Sequence, residues 1–103
     1  MKLKFSEADL LKQVKDYLNY KNIFFWRNHQ SLGSQRGISD LMVLHKGIFY
    51  ALELKTGKGK LSMYQKIFLE SVNQNRGIGK EIRNTEEVIE LFKEESKNEN
   101  NSN

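Results

Sequence analysis

The chain is expected to fold as one α/β domain, a small mixed β-sheet flanked by helices in the order α-β-β-β-α-β-α. Three observations carry that expectation. Two apolar runs, residues 41–44 and 48–52, face each other across a tight turn at His45-Lys46-Gly47, the pattern of a hairpin. On both sides of it lie segments with apolar residues at helical spacing, preceded by serines able to cap a helix. Proline is absent from all 103 residues, so no assignment meets that breaker.

Taken in order, Ser6 is the expected cap of the first helix, with Asp9 three residues on in a capping-box arrangement. Phe5 and Leu10 occupy the positions of a hydrophobic staple, and Leu10, Leu11, Val14 and Leu18 form one apolar stripe. Asn22 ends the helix. Residues 23–29 read as a first strand, aromatic on both faces, which must be covered on both sides or lie at a protein contact. Residues 30–37 form a polar, glycine-bounded loop placed to carry substrate contacts. After the hairpin come a flexible basic loop at 56–60 and a helix from Ser62 to about Asn75, with Tyr64, Ile67, Phe68 and Val72 as its apolar face and Gly77 as its stop. Residues 79–84 read as a short last strand. Thr85 then caps a final helix through Val88, Ile89, Leu91 and Phe92, with Glu86 and Glu87 favouring its dipole. Residues 1–96 form the domain, and 97–103, where nothing is apolar, a polar tail expected to be disordered.

Composition narrows the function classes. The absence of cysteine excludes disulfides and thiolate zinc sites and suits a reducing cytoplasm, where the protein is expected. No run approaches the ~20 apolar residues of a membrane span, and residues 1–6 lack the apolar core of a signal peptide. Residues 1–80 carry 14 Lys/Arg against 6 Asp/Glu, whereas 81–103 carry 3 against 7. A basic body suits a polyanionic partner, because neutralising phosphates releases counterions; a merely soluble surface is the plainer account.

The chemistry concentrates at the hairpin. Asp40 opens one strand and Glu53-Leu54-Lys55 closes the next, and alternation turns Glu53 and Lys55 to one side. Two carboxylates with a lysine are the minimal kit for holding a divalent metal against a phosphodiester. The tripeptide alone says little, since Glu95-Ser96-Lys97 repeats it in the tail. A structural Glu53–Lys55 ion pair is the competing account. Context favours chemistry, because burying carboxylates behind residues 48–52 costs free energy unless a cation or hydrogen bonds compensate. Glu7 falls on the apolar stripe of the first helix, where it either complements the helix dipole or reaches the sheet to join Asp40 and Glu53. Gln65 completes a capping box with Ser62 and can also face the site. His29 and His45 lack ligand spacing and read as surface or strand-end residues.

The segments Gly37-Ile38-Ser39-Asp40-Leu41 and Ala51-Leu52-Glu53-Leu54-Lys55, continued to Gln65, resemble a VRR-NUC domain, a branch of the PD-(D/E)xK nuclease superfamily. The likeness runs from about Ser6 to Phe92. Ile82-Arg83-Asn84 stands where the family has Val-Arg-Arg, lacking the second arginine, and Ser39 stands where the superfamily often has proline. The resemblance implies a restriction-endonuclease-like core and Mg²⁺ or Mn²⁺ held by Asp40, Glu53 and the Leu54 carbonyl, with Glu7 closing the site. It assigns Lys55 and Gln65 to catalysis, and it implies cuts leaving a 5′-phosphate and a 3′-hydroxyl. It further implies a homodimer of phage or mobile-element type acting on branched DNA such as Holliday junctions. Arg27, Arg36, Lys58 and Lys60 flank this site as candidate phosphate contacts that position the backbone without reading sequence. The alternatives are a catalytically silent nucleic-acid-binding module, a sequence-specific restriction-like nuclease, for which the chain leaves no separate recognition domain, and a scaffold whose hairpin charges are only salt bridges.

Overall fold

Alternation along the two central strands divides the molecule into layers. The structure, a computed structural model, describes residues 4–28 and 40–93. It contains α1 (Glu7–Tyr20), β1 (Phe25–Arg27), β2 (Leu41–His45), β3 (Ile48–Leu54), α2 (Met63–Gln74), β4 (Ile78–Ile82) and α3 (Thr85–Leu91), the expected order. The sheet runs β1-β2-β3-β4, antiparallel except for the β3–β4 pair, which is parallel. A parallel pair needs a crossover connection, and α2 supplies it.

Leu41, Val43, Tyr50, Leu52, Leu54 and Ile82 face one layer, where Leu10, Val14 and Leu18 of α1 meet Val88 of α3 and Phe92 just beyond it. Met42 and Ala51 face the other, against Leu69 of α2. Ser6 caps α1 through a complete capping box with Asp9, and Ser62 caps α2 through one with Gln65. Among the described residues no helix is long and apolar enough to cross a membrane.

Several boundaries differ from expectation, each for a local reason. His45 pairs with Ile48, so the hairpin turn is only Lys46 and Gly47, with φ 52° and 82°. A two-residue turn with both residues at positive φ matches the twist of the strands, and so draws His45 into β2. The first strand is shorter than residues 23–29, because Ile23 sits in the core ahead of it. The face of α2 is centred on Leu69, while Tyr64 and Ile67 are about half exposed. Close approach sets that seat: a methyl on Gly79 of β4 would lie 2.5 Å from the Leu69 carbonyl oxygen. Gly77 does help to stop the helix. Past the Asn75 cap, Arg76 takes φ 70° and the N–H groups of Arg76 and Gly77 donate back to Asn73 O (3.2 Å) and Val72 O (2.9 Å), while a methyl on Gly77 would meet Val72 Cγ1 at 2.7 Å. β4 ends at Ile82 because Asn84, not Thr85, caps α3, its side chain accepting from Glu87 N–H. Thr85 instead donates its hydroxyl to Gln13 Oε1, joining α3 to α1. The loop 30–37, His29 and the tail lie outside the described residues.

Candidate active site at the open end of the hairpin

The β2–β3 register pairs Leu41 with Leu52, and one step further it sets Asp40 across from Glu53. Glu53 lies on the same face as Ala51, toward α2, and is only 2% exposed. The first turn of α2 supplies its donor. Gln65 accepts from the Ser62 backbone N–H through Oε1 (2.8 Å) and donates from Nε2 to Glu53 Oε2 (2.8 Å). One side chain therefore performs both roles expected of it, helix capping and orientation toward the site. The other oxygen, Glu53 Oε1, is buried with no hydrogen-bond partner. A carboxylate oxygen left in that state is costly unless a proton or cation satisfies it.

The electrostatics follow from this burial. Desolvation first, and the Asp40 carboxyl second, push the Glu53 carboxyl from 4.5 up to about 8, against the opposing pull of Lys55 and of the Asp40 backbone. Lys55 is held in line with β3 by its backbone N–H, which donates to Ile82 O (3.0 Å), and its side chain is mostly buried. Its Nζ stands 3.9 Å from Glu53 Oε2, too far for a tight pair. The ammonium is thus beside the acids without being consumed by them.

Glu7 lies differently from expectation. It is exposed, because the buried stripe of α1 starts at Leu10 and the first turn stands outside it. It lines a cavity of about 260 Å³ together with Arg27, Asp40 and Leu54, so Arg27, Glu7 and Asp40 share one opening, which Glu53 does not line. Two larger cavities, of about 360 and 560 Å³, lie at the other, turn end of the hairpin and a third, of about 390 Å³, along α1; none of them holds these acids. Among the described residues no three His, Cys, Asp or Glu gather closely enough to hold a metal. The donor set at Asp40 and Glu53 nevertheless suits a hard divalent cation: it is all oxygen, and one oxygen is buried without a partner. His45 packs edge-on against Phe92, their ring centroids 5.6 Å apart, on the opposite layer.

The basic loop is a defined turn. Gly59 N–H donates to Thr56 O (3.0 Å), Gly57 takes φ 56°, and Lys58 and Lys60 are exposed. Arg36 lies outside the described residues. Two side chains at this end of the sheet are not among the expected site residues, Arg83 being marked in the sequence only by its place in the family pattern. Asn28 donates its backbone N–H to Asp40 O (2.9 Å) and buries an unpartnered Nδ2. Arg83 donates to the carbonyls of Gly57 and Gly59. A signal for Arg83 existed: Glu81-Ile82-Arg83 repeats the acid-x-base spacing of Glu53-Leu54-Lys55. Comparison with known protein families and with curated proteins finds no family model and no protein that matches the chain.

Proposed function

We propose that the protein is a metal-dependent, structure-selective DNA endonuclease acting on branched junctions as a homodimer. The observation that carries this reading is the facing pair Asp40 and Glu53, with one Glu53 oxygen buried and unpartnered and a lysine within 4 Å of the other. Acids so placed gain little as structural ion pairs and much from a cation. Asp40, Glu53 and the Leu54 carbonyl would hold Mg²⁺ or Mn²⁺, with Glu7 reaching it from the open side through water. When bound, the ion would polarise the scissile phosphate and acidify the attacking water.

The chain's own residues do the rest. Gln65 fixes the Glu53 carboxylate from the capped, rigid start of α2. Lys55 offers its ammonium to charge developing on the phosphate, which also positions the water. Arg27, Lys58 and Lys60 around the acids grip the phosphodiester backbone, and Arg36 is a further candidate contact. Water adds to phosphorus and the 3′ oxygen leaves, giving the 5′-phosphate and 3′-hydroxyl. The edge strand β1 supports a two-fold dimer, since Phe24 and Trp26 form an exposed aromatic pair, ring centroids 5.7 Å apart, on a sheet edge with no further strand among the described residues.

A second reading, a silent DNA-binding module, draws on one observation: a Glu53 that holds its proton near neutrality needs no metal. Cleavage of a four-way junction, linear duplex and single strand with Mg²⁺, Mn²⁺ or EDTA separates the two. Metal-dependent cutting, lowered about 10²–10³-fold or more in Asp40→Ala and Lys55→Ala, is the expected result. Salt-sensitive binding without cutting would establish the silent module instead.

A further inference from the structure

Arg83 follows directly on β4 and makes contacts that no requirement of the core explains. Its guanidinium donates from Nη1 to Gly57 O (3.2 Å) and from Nη2 to Gly59 O, and Nη2 also meets the Glu81 carboxylate. Its backbone N–H donates to Glu87 Oε1 (2.7 Å), which anchors the residue to α3. Two carbonyls of one turn are therefore gripped by a single planar fork whose own orientation is fixed by an acid two residues earlier. The same turn is closed from within by Gly59 N–H donating to Thr56 O. On its other side it abuts the candidate site. A methyl placed on Gly59 would lie 3.7 Å from Glu7 Oε2 and 3.7 Å from Lys55 Cδ.

We infer that Arg83 is a positioning residue: it clamps the turn at residues 56–60 against Glu7 and Lys55, so that Lys58 and Lys60 are presented to a polyanion from a fixed backbone. With Nη1 and Nη2 given to two carbonyls and a carboxylate, the guanidinium is held to the turn and acts through it. A glycine-flanked turn left to itself samples many conformations, and ordering it on binding would cost affinity. Holding the turn beforehand removes that cost. Lysine cannot replace arginine in this role, because a single ammonium cannot span two carbonyls and a carboxylate in a plane. The clamp itself needs no assumption about activity, whereas its consequence for DNA rests on the nuclease reading above.

The test uses the full chain as wild type, Arg83→Lys, Arg83→Ala and Glu81→Gln. Amide hydrogen exchange at Gly59 reads the turn, and junction-cleavage kinetics with Mg²⁺ read the consequence. Exchange at Gly59 about tenfold faster in both Arg83 variants, with amides of β3 unchanged, supports the clamp. Glu81→Gln should fall between them and wild type. In the kinetics, the Arg83 variants should raise KM about tenfold with kcat within about threefold. Unchanged exchange at Gly59 in Arg83→Ala overturns the proposal. So does an Arg83→Lys that matches wild type in both readouts, because charge alone would then suffice. A wild type that cuts no DNA defeats the nuclease reading, and the exchange comparison still decides the clamp. Should Arg83→Ala fail to fold, Arg83→Lys and Glu81→Gln carry the same comparison.

Discussion

Two tripeptides of one pattern lie side by side in this sheet and behave in opposite ways. Glu53-Leu54-Lys55 and Glu81-Ile82-Arg83 run in parallel and in register, Glu53 beside Glu81 and Leu54 beside Ile82. Both middle residues are buried in the same core cluster. The flanking charges diverge. Glu81 and Arg83 are about one-third exposed and close directly on each other, and Arg83 also donates to two carbonyls of a turn. Glu53 is buried, shares one oxygen between Gln65 and a distant Lys55, and leaves the other without a partner. Position in the sheet accounts for the contrast. β4 is an edge strand whose acid reaches solvent, whereas β3 is interior, roofed by the first turn of α2 and faced by Asp40. The spacing of acid and base is common to both; burial leaves only one of them with an unsatisfied carboxylate oxygen.

The largest effect expected from that contrast is on stability without metal. At pH 7 the folded protein keeps a proton on Glu53 that the unfolded chain, titrating near 4.5, has released. That proton uptake costs about 3 kcal/mol at 1.36 kcal/mol per pH unit. Glu53→Gln removes the cost while keeping the shape, so it should stabilise the metal-free protein at pH 7 by about 2–3 kcal/mol, measured by urea denaturation. A clear destabilisation would show that the Glu53 carboxyl is satisfied as it stands, and with that the argument for a cation would fail.

The same residue sets a pH dependence of known sign. Below pH 4.5 the carboxyl is protonated in both states and contributes nothing. From 4.5 to about 8 the folded form binds the extra proton, so stability falls as pH rises; above 8 the contribution levels off. The slope from this group is at most about 1.4 kcal/mol per pH unit. Millimolar Mg²⁺ or Mn²⁺ should flatten it, because a cation stabilises the ionised form of the folded state. Thermal melts across pH 5–8 with metal and with EDTA measure this directly. Identical slopes in the two conditions would leave no metal at the site.

Much of this was legible in the chain beforehand, for reasons that can be named. Helix starts at Ser6 and Ser62 follow from side chains that bond their own backbone, a local matter that spacing reveals. That Asp40 comes near Glu53 follows from the hairpin, which sets the start of β2 beside the end of β3. The register does not, since a turn at residues 45–47 would put Asp40 across from Leu52, and the two-residue turn at Lys46 and Gly47 pairs Leu41 with Leu52 instead. What spacing could not reveal depended on distant partners. Tyr64 and Ile67 satisfy helical periodicity as well as Leu69 does, and only the close approach of Gly79 decides which side of α2 is covered. Glu7 falls within one turn of the stripe yet lies exposed, because the stripe gains burial only from Leu10 onward. Arg83 was invisible as a partner of the 56–60 turn since the two lie 24 and 26 residues apart in sequence and meet only through β3–β4 pairing.

Next in size is Gln65→Ala. It deletes the bond that caps the Ser62 amide and the donor to Glu53 Oε2 together. A loss of about 1–2 kcal/mol is expected in wild type. In a Glu53→Ala background only the cap remains to be lost, so the cost should fall to about half, and the double-mutant cycle gives the coupling. Equal costs in both backgrounds would reduce Gln65 to a capping residue.

The smallest effect is predicted at Glu81, and it is the sharpest check on the comparison. Neighbouring strands lie about 4.8 Å apart and in-register residues share a face, so Glu81 projects beside Glu53 on the sheet. Were it a third ligand of one site, its removal would weaken metal binding and alter the pH slope as removal of Glu53 does. Its carboxylate is instead engaged by Arg83 in a partly exposed pair, which solvent screens. Glu81→Gln should therefore change stability by less than about 1 kcal/mol, with the pH 5–8 slope and the Mg²⁺ response unchanged. A metal response lost in Glu81→Gln would mean that the two strands contribute to one ion site, and that the edge tripeptide is part of the chemistry rather than its foil.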